Sequence, residues 1–293
     1  MLTLLRCLSR WPLWLLHAVG AGLGWTGYWL SPVYRQRFDA NASQAGVPRA
    51  AARGAVAEAG RLLMELPYLW MRPASQGILP QVRWDGAALI DAAHDEGRGI
   101  VFLTPHMGCF EVTAQAYAER YGKSHGPITV LYRPARKAWL RRLVDTSRVR
   151  PGLAAASATL AGVRQMMRAL RRGEAVGLLP DQVPPGGMGV WAPFFGKPAY
   201  TMTLASRLAQ QTGAVLLLAW GERLPRGAGY VVHLSAFDDA AAGASVPQAE
   251  SAAAVNRAME RLILQRPQQY LWGYHRYKTP RDAGDGADKN HED

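Results

Sequence analysis

Cysteine is nearly absent: Cys7 and Cys109 are the two in 293 residues. They lie far apart in unrelated contexts, which excludes the closely spaced thiols of a zinc site and the density of a disulfide framework. Acid is also scarce, with 22 Asp and Glu against 34 Lys and Arg for a net charge of +12. Five of those acids (Asp282, Asp285, Asp288, Glu292, Asp293) share a terminal stretch with one base, Lys289, so the body is more basic still. That surplus selects partners bearing phosphate or carboxylate: nucleic acid, a bilayer surface or an acidic carrier protein. No nucleic-acid recognition motif or aromatic RNA-binding signature accompanies the arginines, so no nucleic-acid partner is expected. Internal repeats are missing too, which excludes a solenoid. Apolar residues, at 49%, are not scarce and suffice for a full core.

Residues 11–30, WPLWLLHAVGAGLGWTGYWL, carry no formal charge over about the length that crosses a hydrocarbon core. Arg6 and Arg10 flank one end and Arg35 and Arg37 the other, while tryptophans and Tyr28 crowd both ends as interfacial anchors do. One amino-terminal membrane helix is the expectation, although four glycines and a proline dilute it.

Residues 35–72 have helical spacing with an apolar stripe at Leu62, Leu63, Leu66 and Leu69, and Pro67 is expected to kink or end that helix. Beyond Pro73, short and almost wholly apolar runs recur at 99–104 (GIVFLT), 127–132 (PITVLY), 175–180 (AVGLLP) and 214–220 (AVLLLAW). Helix-like stretches at 112–121, 138–147, 160–172 and 202–212 alternate with them. A further strand is read at 229–237 and a further helix at 248–265. Apolar strands alternating with helices imply a sheet buried on both faces. The expected fold is α/β, a mostly parallel central sheet flanked by helices. The expected division is a membrane anchor over 1–34, one catalytic domain over 35–281 and a disordered acidic tail over 282–293.

Two histidines are followed five residues later by an acid: His106 by Glu111, and His233 by Asp238. His233 falls inside an alternating strand and reads as an ordinary strand side chain. His106 follows the buried run 99–104 and a proline, and Gly108 then permits a tight turn into a helix. Carboxyl ends of such strands are where open α/β sheets keep their ligands. On one continuous helix, residues five apart sit about 140° apart. The pair therefore meets only with His106 on the loop and Glu111 in the first helical turn. A neutral imidazole there takes the proton of an attacking hydroxyl, and a carboxylate on its other nitrogen fixes the tautomer. Cys109, between the two, reads as a packed hydrophobe rather than a nucleophile.

TPHMGCFE (104–111), LYRP (131–134), LPDQ (179–182), APFFGKPAYT (192–201) and QYLWGYHRYKTPR (269–281) occur in this order. Together they closely resemble the late acyltransferases of lipid A biosynthesis, over nearly the whole chain. The resemblance implies an acyl carrier protein thioester donor, a lipid A precursor acceptor and a bacterial inner-membrane location with the catalytic domain on the cytoplasmic side. It makes His106 and Glu111 the catalytic dyad, and neither a cofactor nor a metal is expected. It also implies that Asp181 pairs with an arginine, here Arg150 or Arg148, either bracing the site or holding an oxyanion or phosphate. Arg133 is expected to meet a donor or acceptor phosphate, and the segment PFFGKP to form a loop lining the acyl channel. GYHRYK departs from the family's histidine followed by two bases, which leaves His275 without an assigned role. Arginines 164, 168, 171 and 172 form a basic face suited to an acidic carrier or anionic headgroups. The rival readings are acyl transfer to another lipid (glycerophospholipid, aminolipid or glycolipid) and a non-catalytic membrane-bound basic adaptor. The first is disfavoured because glycerophosphate acyltransferases usually carry Asp at the Glu111 position. Intact His106, Glu111 and Asp181 speak against the second.

Overall fold

The computed structural model describes residues 2–73, 75–132, 150–239 and 246–280. Four helices lead: α1 (Leu2–Leu8), α2 (Leu13–Leu30), α3 (Pro32–Gln44) and α4 (Arg49–Met71). Strands and helices then alternate as β1 (Val82–Asp85), α5 (Ala88–Asp95), β2 (Ile100–Leu103), α6 (Phe110–Tyr121), β3 (Ile128–Tyr132), β4 (Leu153–Ser157), α7 (Leu160–Arg171) and β5 (Ala175–Leu178). A hairpin of β6 (Gly189–Phe194) and β7 (Lys197–Met202) follows, then α8 (Leu204–Thr212), β8 (Val215–Arg223), β9 (Tyr230–Ala236) and α9 (Gln248–Gln265).

Seven strands form one sheet in the order β1-β9-β8-β2-β5-β3-β4. Its pairings are parallel except β8 with β9. The central strands β2 and β5 are buried at every residue, which is why both read as unbroken apolar runs. One sheet face packs Ile90, Tyr117, Phe102 and Val112; the other packs Leu170, Leu208, Met259 and Leu218. The α/β expectation and the mostly parallel sheet hold. The helix expected over 138–147 and the acidic tail lie outside the described residues.

The expected membrane-crossing helix is corrected. Among the described residues no helix is long and apolar enough to cross a membrane. The glycines of α2, taken as diluting its apolar character, serve close packing against α4. A Cβ on Gly24 would stand 2.2 Å from the Val56 carbonyl oxygen, and one on Gly60 would stand 1.9 Å from that of Gly20. The two backbones touch there, with Leu13, Leu16 and His17 buried on α2.

Two local readings also change. The helical stretch 35–72 is two helices, because Gly46 takes φ +68° and Pro48 precedes the second. Pro67 does not end α4, which runs on to Met71. The PFFGKP segment is a hairpin rather than a loop, with Phe195 (φ 47°) and Gly196 (φ 72°) in the left-handed region at its turn.

Candidate active site

Adjacent strands set the site. Leu103 of β2 is in register with Leu178 of β5, so the loops that leave these carboxyl ends run side by side. His106 lies three residues beyond the first and Asp181 three beyond the second. Asp181 is 1% exposed, and its two oxygens take two donors from one residue. His106 N–H donates to Oδ2 at 2.8 Å, and Nδ1 lies 2.7 Å from Oδ1. Burial alone would raise the Asp181 pKa; the charge and hydrogen bonds of His106, together with Arg276, bring it below the ordinary value. An ionised carboxylate only accepts, so Nδ1 carries a proton toward it, and in the neutral form of the ring the lone pair is on Nε2.

The turn holding His106 is clamped on both sides. Gly108 at φ +58° comes so close to β8 that a Cβ would lie 2.0 Å from the Gly221 oxygen. Gly108 N–H donates to the Gln269 carbonyl at 2.8 Å, Cys109 N–H to that of Gly221 at 2.8 Å, and Leu271 N–H to that of His106 at 3.1 Å. Glu111 then falls in the first turn of α6, where the helix N-terminus favours an anion. The expected loop-and-helix placement of the pair is what forms. The carboxylate on the imidazole differs from expectation: it is Asp181. Glu111 accepts from Trp70 Nε1 at 3.4 Å and shares with His106 the wall of one cavity.

That cavity holds about 610 Å³ and is mostly apolar. It opens around the carboxyl edge of the sheet and reaches both faces. Ile90, Phe102 and Tyr117 line it on one side; Val163, Leu204 and Leu208 line it on the other. Gly177 of β5 lies in its wall, where a Cβ would press to 3.2 Å from Val130.

The other residues singled out in the sequence separate clearly. Arg150 does not serve Asp181: its Nη2 donates to the carbonyls of Leu69 (2.7 Å) and Arg72 (3.1 Å), capping the end of α4. Burial and the neighbouring Arg72 lower its pKa to about 10. Arg133 and Arg148 lie outside the described residues. An arginine whose charge does reach Asp181 is Arg276, 2% exposed and held by the Tyr200 carbonyl (2.6 Å) and Thr201 Oγ1 (2.7 Å). The sequence offered it only as part of the basic aromatic segment 269–281. His275, beside it, is exposed near Arg37, Lys278 and Lys197. His233 is bound at both nitrogens, by Asp85 (2.8 Å) and Glu222 (2.8 Å), and stacks on Trp220. A ring engaged on both sides has no lone pair for a substrate. Cys109 is fully buried, and burial followed by the charge of Glu65 holds its thiol well above the ordinary range. It is a packed hydrophobe, not a thiolate.

Sequence comparison places this geometry. The family model for bacterial lipid A biosynthesis acyltransferases matches residues 42–279. The lipid A biosynthesis lauroyltransferase of Escherichia coli is 28% identical, over 75% of this chain and 69% of its own length. The lipid A biosynthesis palmitoleoyltransferase of the same organism is 25% identical over 78% and 71%. The lipid A biosynthesis acyltransferase of Haemophilus influenzae is 24% identical over 68% and 60%. A match spanning both loops of the His106–Asp181 pair, the cavity wall and the Arg276 segment establishes that this chain belongs to the bacterial lipid A biosynthesis acyltransferase family and is an acyltransferase.

Proposed function

We propose that the chain transfers a fatty acyl group from a thioester on acyl carrier protein to a hydroxyl of a lipid A precursor, with His106 as general base. The observation that carries this reading is an imidazole bound through Nδ1 to a buried carboxylate at the wall of a 610 Å³ apolar cavity. The acyl chain occupies the cavity, and the thioester carbonyl sits at its carboxyl-edge mouth. The acceptor hydroxyl gives its proton to Nε2 as its oxygen bonds to the carbonyl carbon. Collapse of the tetrahedral adduct breaks the carbon–sulfur bond, and the imidazolium returns the proton to the departing thiolate. Asp181 fixes the tautomer and stabilises the imidazolium; Glu111 adds a second negative charge in the same wall. The charge and hydrogen bonds of His106, with a smaller contribution from Arg276, keep Asp181 ionised.

Two surfaces support the partners. Arg164, Arg168 and Arg171 are exposed on α7, whose Leu160 and Val163 line the cavity. An acidic carrier docked there would stand beside the entrance for its own thioester. Trp14, Leu23, Trp29, Leu30 and Val33 are exposed, with Arg6, Arg10, Arg35 and Arg37 around them. That pattern suits α2 lying in the headgroup region of the inner membrane, on the cytoplasmic side, rather than crossing it. The reading is tested by following acyl transfer from acyl carrier protein to a lipid A precursor. A folded His106→Ala variant is expected to lose about 10²–10⁴-fold in kcat. Near-normal turnover in that variant would remove His106 from the mechanism.

A further inference from the structure

Behind the catalytic turn lies a buried charge cluster that the chemistry above does not use. Glu65 of α4 is 0% exposed and Arg223, at the end of β8, is 3% exposed. Arg223 Nε and Nη2 donate to the two oxygens of Glu65 at 2.7 and 2.6 Å, and Nη1 reaches Glu58. Tyr230 donates to Glu65 Oε1 at 3.2 Å, and His17 Nε2, from α2, lies 2.8 Å from the same oxygen. Arg223 Nη2 also donates, at 3.1 Å, to the carbonyl oxygen of Gly108 in the turn that carries His106. Gln269 secures this arrangement from the other side. Its side chain accepts from Arg223 N–H and donates to Arg223 O, both at 2.9 Å, while its carbonyl holds Gly108 N–H.

Stability alone does not explain such a cluster. Desolvation of a buried ion pair offsets most of its attraction, and well-packed apolar residues of the same volume hold a fold as well or better. What apolar residues lack is a donor aimed at the Gly108 carbonyl. Burial opposes the charge on Glu65, yet Arg223 and His17 bring its pKa down to about 2, so the carboxylate that anchors Arg223 stays ionised.

We propose that Arg223 and Glu65 are positioning residues for His106, and that His17 completes them, making the amino-terminal helical layer part of the catalytic apparatus. Arg223 fixes the Gly108 carbonyl, the turn then aims Nδ1 at Asp181, and α2 and α4 hold Arg223 in place. A general base must sit within a fraction of an ångström of its proton, so slack in this turn reaches the reaction directly. The proposal rests on His106 being the base.

The test uses the full chain in detergent micelles with ring-labelled histidine, reading the far-downfield proton of His106 Nδ1 hydrogen-bonded to Asp181. Arg223→Lys keeps a positive charge against Glu65 but has no fork to span Glu65 and Gly108 together. It is expected to shift or broaden that signal and lower kcat about tenfold or more, with KM for both substrates within about twofold. His17→Phe is expected to show the same pattern more weakly, and His17→Gln, which retains a donor toward Glu65, to recover most of that loss. Leu262→Ala, in the core of α9, is the control for plain destabilisation and is expected to leave the imidazole signal in place. An unmoved signal with near-normal kcat in folded Arg223→Lys overturns the proposal. The same signal change in Leu262→Ala also overturns it. Should Arg223→Lys not fold, the His17 pair decides: identical signals and kcat in His17→Phe and wild type overturn it. Because the signal reads the turn without turnover, an active His106→Ala would overturn the base assignment separately.

Discussion

Asp181→Asn exchanges one carboxylate oxygen for an amide nitrogen with almost no change of volume, which makes it the sharpest probe of the site. Asp181 accepts two donors from His106, the backbone N–H and Nδ1–H. An amide has one oxygen. If that oxygen keeps the backbone N–H, the amide nitrogen faces Nδ1, and the ring proton must move to Nε2, the atom meant to receive the proton of the acceptor. The variant also removes the charge opposite the imidazolium. At about 4 Å and an effective dielectric near 20, that attraction is about 4 kcal/mol. Since each 1.36 kcal/mol is about tenfold in rate, kcat should fall about 10³-fold from charge alone, and toward 10⁴-fold with the wrong tautomer, the size seen for the analogous change in serine proteases. KM should barely move, because Asp181 is buried behind the histidine. The assay is steady-state transfer from acyl carrier protein to a lipid A precursor, with circular dichroism to show the fold intact. A folded Asp181→Asn enzyme retaining more than about a tenth of wild-type kcat would refute the assignment of Asp181 as the orienting carboxylate.

Three further outcomes are expected. Gly60→Val should drive α2 from α4 and cost about 1–3 kcal/mol or more in thermal unfolding, as overpacking does, because even a Cβ would lie 1.9 Å from the Gly20 oxygen. Glu65, its pKa brought from the ordinary 4.5 down to about 2 by Arg223 and His17, should favour the folded state at neutral pH more than in acid. A depressed carboxylate loses its contribution as pH falls through the folded value, so acid unfolding should steepen below about pH 4.5, and Glu65→Gln should abolish that limb. Changing Arg164, Arg168 and Arg171 to Gln should raise the KM for the acyl carrier protein donor, by less as salt is added; an effect confined to kcat would reject docking as their role.

The legible part of the site was local. Gly108 after an apolar run marks a turn, and a turn between His106 and Glu111 puts one on a loop and the other in the first helical turn, as found. What stayed hidden depended on strand order. Only the adjacency of β2 and β5 brings Asp181 to Nδ1, and composition does not encode which buried strands are neighbours. Arg276 was hidden for the same reason, arriving from the chain's far end to bring its charge to Asp181. Glu65 did carry a signal: it is a lone acid within the apolar run RLLMELPYLWM, and an ionisable residue in such a stripe requires a buried partner. The glycines of α2 misled because sequence alone does not separate a helix thinned by glycine from one grooved to receive another.

Arg223 follows Glu65 by 158 positions along the chain. During synthesis α4 is therefore complete long before Arg223, the arginine that pairs with its buried carboxylate, exists. A bare carboxylate entering an apolar interior costs several kcal/mol, so this face of α4 stays wet until β8 emerges. The Glu65–Arg223 pair can therefore close only once β8 has been made, and in a chain halted before β8 Glu65 is expected to remain in solvent.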